Sequence, residues 1–153
     1  MMRDSRSFFT EAHHAARKIE EMQRIISSGG EEYQARHGSA GGSKPEHSDP
    51  TAQAAIRLGA ILDWAKAEQQ AAEETVGEAL EVLAGVEIGL GRDYADVLEL
   101  RYIDGMPWVD VCMFVGKSRS QANRYMAVAH DWVDSQGIER VKMIGKGKAT
   151  SIL

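Results

Sequence analysis

Apolar side chains recur along this chain at intervals of three and four residues, the spacing of one face of an α-helix. Phe8, Ala12, Ala15, Ile19, Met22 and Ile26 form one such seam, with Arg17, Lys18, Glu20, Glu21 and Arg24 around the rest of the turn. That predicts a helix of roughly 20 residues, about 30 Å long, after a frayed stretch at 1–7. A second seam runs through Leu58, Leu62, Ala65, Gln69, Ala72, Val76, Ala79, Leu83, Val86 and Leu90. Asp49-Pro50-Thr51 gives it an N-cap and a first-turn proline, and the pattern predicts a helix of about 40 residues. Gly59, Gly77 and Gly85 weaken it, because glycine is a poor helix former. Between the seams, residues 27–49 are rich in glycine and serine and read as a flexible loop.

The pattern changes after Gly89, Gly91 and Asp93, with Asp93 expected to cap a short helix bearing Tyr94, Val97, Leu98, Leu100, Arg101 and Ile103. Asp104-Gly105 is a turn signal, and Pro107 suits a first helical turn. Trp108, Val111, Cys112 and Val115 then share one helical face, and Ala122, Met126, Ala129 and Val133 share another. Gly116 can take the positive φ that ends a helix, and Ser118 with Gln121 has the spacing of a capping box. Two helices joined by so short a turn form a helix-turn-helix signature, whose second helix can enter the major groove.

The exposed start of that second helix would be Lys117, Ser118, Arg119, Ser120, Gln121, Asn123 and Arg124. Arginine can bond guanine in bidentate fashion, and glutamine or asparagine can do so with adenine. Arg119, Gln121, Asn123 and Arg124 are therefore candidate base-contacting residues; Lys117, Ser118, Ser120 and Arg101 are candidate phosphate contacts.

Leu100, Arg101, Tyr102, Asp104-Gly105, Trp108, Val111, Cys112, Val115-Gly116, Ser118, Ser120, Ala122 and Ala129 carry a resemblance. The segment resembles region four of bacterial sigma factors, and more closely the phage-encoded transcriptional regulators of the ArpU and RinA type. Cys112 and Ala122 depart from the alanine and larger aliphatic residue usual there, and Asp131 and Asp134 stand where basic residues are common. The resemblance implies a phage- or prophage-derived, sequence-specific DNA-binding regulator of transcription. It leaves two other roles open: the small, DNA-recognising subunit of a phage packaging terminase, or a sigma-like module that contacts RNA polymerase.

Charge sharpens this picture. The chain carries a net charge of −5. Residues 1–115 hold 11 Lys and Arg against 20 Asp and Glu, whereas residues 116–153 hold 7 against 3. The basic part thus begins at the expected recognition helix, as a DNA-binding surface on an acidic body requires. A basic tail is expected at 137–153, with Arg140, Lys142, Lys146 and Lys148 between glycines, either as a frayed end or as an arm that adds phosphate contacts.

No apolar run is long enough for a membrane span, and the single cysteine excludes an internal disulfide and fits a reducing cytoplasm. His13 and His14 are adjacent and His37 and His47 lie in the loop, so no metal set is expected and the histidines read as surface residues. Glu31-Glu32 and Glu73-Glu74 come with no nucleophile or phosphate loop, so neither enzymatic activity nor a cofactor is expected. Cys112 and Trp108 read as core residues. The expected fold is all-α, with an N-terminal coiled-coil-like helical hairpin over 1–90, a helix-turn-helix domain over 91–136, and the tail. The long helices predict either an intrachain bundle or a homo-oligomer, a dimer first, that presents paired readers to double-stranded DNA.

Overall fold

The structure is a computed structural model and describes residues 3–37 and 50–151. Every element among them is helical: α1 (Ser5–Ser27), α2 (Glu31–His37), α3 (Pro50–Gly89), α4 (Arg92–Leu98), a π-helical turn (Glu99–Ile103), α5 (Trp108–Val115), α6 (Arg119–Gln136) and α7 (Ile138–Ser151). None is long and apolar enough to cross a membrane. The chain divides into two compact units, one of residues up to Ala16 with those from Glu74 onward, the other Arg17–Glu73.

In the Arg17–Glu73 unit, Met22, Ile25 and Ala65 form the core, with Ile26, Tyr33 and Ile61 packed around them. Lys18 pairs with Glu68 across the two long helices. The expected loop at 27–49 is in part structured. Gly29 and Gly30 take φ of 67° and 86°, and the Gly30 N–H returns to the Ile25 carbonyl at 2.9 Å. The chain then enters α2, where Glu31 and Glu32 sit at the positive end of the helix and Tyr33 packs 5.3 Å from the Trp64 ring. Residues 38–49, including the expected cap Asp49, lie outside the described residues, and α3 starts at Pro50 as its sequence predicts.

The other unit has the larger core. Phe8, Phe9 and Ala12 of α1 meet Ala79, Val82, Leu83 and Val86 of α3, Leu98 of α4, Val111 of α5, Met126, Ala129 and Val133 of α6, and Val141 of α7. The stretch at 1–7 is not frayed throughout. α1 begins at Ser5, which is fully buried. Its N–H donates to Asp134 Oδ1 at 2.7 Å, and its Oγ lies 2.7 Å from Nδ1 of His130. Nε2 of the same imidazole lies 3.1 Å from the Tyr102 hydroxyl. His130 is therefore a buried core residue, 1% exposed, and not a surface histidine. The Asp134 carboxylate caps the start of α1.

The expected basic tail is α7. Ile138, Val141 and Gly145 face inward, which sequence periodicity alone understates because one of the three is a glycine. A Cβ on Gly145 would stand 1.9 Å from the Glu81 carbonyl oxygen, and one on Gly85 would stand 2.1 Å from that of Val141. These two glycines let α3 and α7 cross backbone to backbone. Gly85, which weakens the α3 pattern as a helix former, is what makes the crossing possible.

Gly145→Ala should lose ~1–3 kcal/mol in denaturant unfolding, because the neighbouring atom is backbone and cannot step aside. Gly77→Ala, where a Cβ meets open space, should instead gain about 0.5–1 kcal/mol. His130 is held neutral: burial is the main cause pushing its pKa down from 6.5 to about 4. The unfolded chain binds that proton more readily, so stability should fall as pH drops from about 6.5 and level off below about 4. In His130→Gln that step in urea midpoints should vanish.

Candidate nucleic-acid interface

The segment from Gly91 to Gly137 is built from short helices with defined ends. Gly91, at φ 120°, is the N-cap of α4, in place of the expected Asp93. Only glycine adopts that backbone readily, so the cap falls two residues early. Asp93 stands in the first turn and pairs with Lys117 at 3.7 Å. α4 then widens into the π turn, where Asp104 N–H reaches back to the Glu99 carbonyl. Such turns carry one residue more than the α-repeat allows and so rotate the downstream chain about the helix axis. Gly105 reverses the chain at φ 67°, and Pro107 caps α5 from outside its first turn.

α5 ends at Gly116, in the left-handed conformation with φ 67°. Ser118 then caps α6: its Oγ accepts from the Gln121 N–H at 3.2 Å, and Gln121 Oε1 accepts from the Ser118 N–H at 3.0 Å. Both halves of the capping box are present. Ala122, Met126, Ala129 and Val133 are buried as their spacing predicts. Ser118, Arg119, Ser120, Gln121, Asn123 and Arg124 are all exposed.

These side chains are not equivalent. Asn123 and Arg124 project from the first turns of α6. Gln121 has its carbonyl oxygen committed to the cap and keeps its amide N–H groups as donors. Lys117 is half-buried: it pairs with Asp93 and its Nζ sits 5.6 Å above the Tyr125 ring. Arg101 is also half-buried and donates from Nη1 to the Met106 carbonyl at 2.8 Å. The Arg101 and Arg119 guanidiniums each lie 5.2 Å from the Trp108 ring centroid. Trp108 thus packs on the core and at the same time positions two cations, a second role that its place on an apolar helical face does not suggest. Nothing in the spacing of residues 101, 108 and 119 advertises it, because three separate turns bring them together.

Charge is sorted around this surface. Glu99 has its pKa raised, first by burial and then by Asp104, Asp96 and Glu87, so the carboxylates gather on the α4 side. The outer face of α5 differs from expectation. Cys112 is only half-buried, and Val109, Met113 and Phe114 are 70%, 76% and 71% exposed. No group of His, Cys, Asp and Glu among the described residues could hold a metal ion. Comparison with models of known protein families, with curated proteins and with solved structures gives no match.

Ser118→Ala removes one half of the capping box and should cost about 1 kcal/mol in unfolding free energy. Amide exchange should quicken at Ser120 and Gln121, with Val133 unaffected.

Proposed function

We propose that this chain is a sequence-specific, DNA-binding regulator of transcription, of phage or prophage type, that inserts the start of α6 into the major groove. In this reading α5 and α6 are the two halves of a helix-turn-helix. The observation that carries it is the capped, solvent-open first turn of α6, where Arg119, Asn123 and Arg124 stand outward above a buried Ala122 and Met126. Arg124 and Asn123 read base edges, with Gln121 contributing through its amide N–H groups. Arg119, braced on Trp108, and Arg101, Ser118 and Ser120 meet the backbone and fix register. Lys117 contributes charge from its place beside Asp93.

Oligomerisation belongs to the same reading, because paired half-sites need paired readers. Leu80 and Ile88 of α3 are 43% and 49% exposed and offer apolar surface for it. A second reading rests on α5. Its apolar outer face of Val109, Met113 and Phe114 suits a protein contact better than a phosphate, which favours a module that touches RNA polymerase.

Selection of bound duplexes from a random pool, with mass measured in the same buffer, tests the first reading. A consensus sequence and a dimeric mass are expected. Arg124→Ala should relax one position of that consensus at a cost of ~1–3 kcal/mol, and equal loss on specific and random DNA would contradict its role. Failure to shift any duplex at low salt, together with co-purification of polymerase, would favour the second reading.

A further inference from the structure

A cleft of about 500 Å³ opens between α1 and the π turn, lined by Thr10, His13, Arg101, Tyr102, Gly105 and Trp108 among others. No carboxylate lines it, although Asp and Glu outnumber Lys and Arg by 23 to 18 in the chain. Arg6, Thr10 and His13 fall at i, i+4 and i+7 of α1 and so share one face. Arg6 is exposed, forms no ion pair among the described residues, and acts electrostatically on Tyr102. The carboxylate it also acts on, Asp4, is committed to the Ser7 N–H at 2.7 Å.

The donors here are held in place. Arg101 uses one N–H on the Met106 carbonyl, which fixes its planar fork and leaves other donors for a ligand. His13 Nδ1 lies 2.9 Å from the Tyr102 carbonyl oxygen. A carbonyl only accepts, so Nδ1 carries a proton and is committed to that bond, which fixes the ring at the cleft. Thr10 adds a hydroxyl, and Gly105, at φ 67°, brings main chain to the rim without a side chain. Fixed guanidinium and hydroxyl donors with no carboxylate in the lining suit a tetrahedral oxyanion. A nucleobase suits it less, since the Trp108 ring is already engaged by Arg101 and Arg119.

Trp108 also ties the cleft to α6. The guanidiniums of Arg101 and Arg119 both lie 5.2 Å from one ring centroid, so at most twice that distance separates them. A few backbone steps, at about 3.4 Å rise each, span such a gap. We propose that the cleft between α1 and the π turn is a phosphate site, and that it grips a backbone phosphate of the duplex whose major groove α6 enters. The proposal rests on the major-groove role of α6 and makes α1 part of the DNA interface.

The test measures dissociation constants against salt for wild type, Arg6→Gln, Arg24→Gln and Arg124→Ala, on a selected duplex and on a random one. Arg6→Gln should weaken both duplexes alike, three- to tenfold at low salt, and make the log–log salt slope shallower by about one. Arg24→Gln, the same charge change in the other compact unit, should leave the slope unchanged. An unaltered slope in Arg6→Gln, while Arg124→Ala still relaxes sequence choice, overturns the cleft and leaves the α6 reading standing. If wild type shifts no duplex at any salt, the α6 reading falls and the duplex is overturned as occupant. Titration with inorganic phosphate, followed by the His13 ring resonances, then separates the remaining cases. A saturable shift abolished by Arg6→Gln overturns the duplex in favour of a free phosphate compound, and no shift overturns the anion site altogether.

Discussion

A single neutral imidazole joins three elements of the larger unit, α1, the π turn and α6. His130 of α6 takes Ser5 of α1 on one nitrogen and Tyr102 of the π turn on the other, inside a shell that includes the Phe9 ring. A buried polar group is tolerated only when its hydrogen bonds are made, and here both nitrogens have partners. The geometry leaves little freedom: the imidazole cannot move without breaking a bond to α1 or to Tyr102. Asp134, one turn further along α6, adds a charged acceptor for the Ser5 N–H. α6 is thus tied to α1 and the π turn by polar contacts from its second half.

That division runs along the whole of α6. The carboxyl-terminal half carries His130 and Asp134 and is used for holding the fold together. The amino-terminal half buries Ala122 and Met126 on its inner face and carries Arg119, Asn123 and Arg124 on its exposed one. A helix N-terminus presents unpaired N–H groups and a partial positive charge, so cationic side chains there are not placed for helix stability. The capping box supplies the stability instead, at the cost of the Gln121 carbonyl. Trp108 extends the same economy to the preceding turn, holding Arg101 and Arg119 over one ring.

The helices themselves were legible because their signals are local. The seams of α1 and α3, the left-handed Gly116, and the Ser118–Gln121 box each depend on residues within a turn or two of one another, and the structure has them where the pattern places them. The errors have a common cause. α2 was hidden behind the turn at Gly29 and Gly30, and its docking depends on Tyr33 meeting Trp64, some 30 residues away. α7 was hidden because part of its inner face is glycine, whose contribution is closeness and not apolar area. The cap of α4 moved from Asp93 to Gly91 because backbone conformation outweighed side-chain preference.

The sequence by itself determined that the chain is helical, where its long helices run, and that the start of α6 is capped and polar. These properties come from spacing and from hydrogen bonds between near neighbours. Tertiary structure alone decided that His130 is buried, that Arg101 and Arg119 share Trp108, and that Thr10 and His13 stand beside the π turn. Each of those depends on residues far apart in the chain being brought within a few ångströms. The one-residue excess of the π turn and the contact of two glycine backbones set such distances, and neither leaves a period in the sequence.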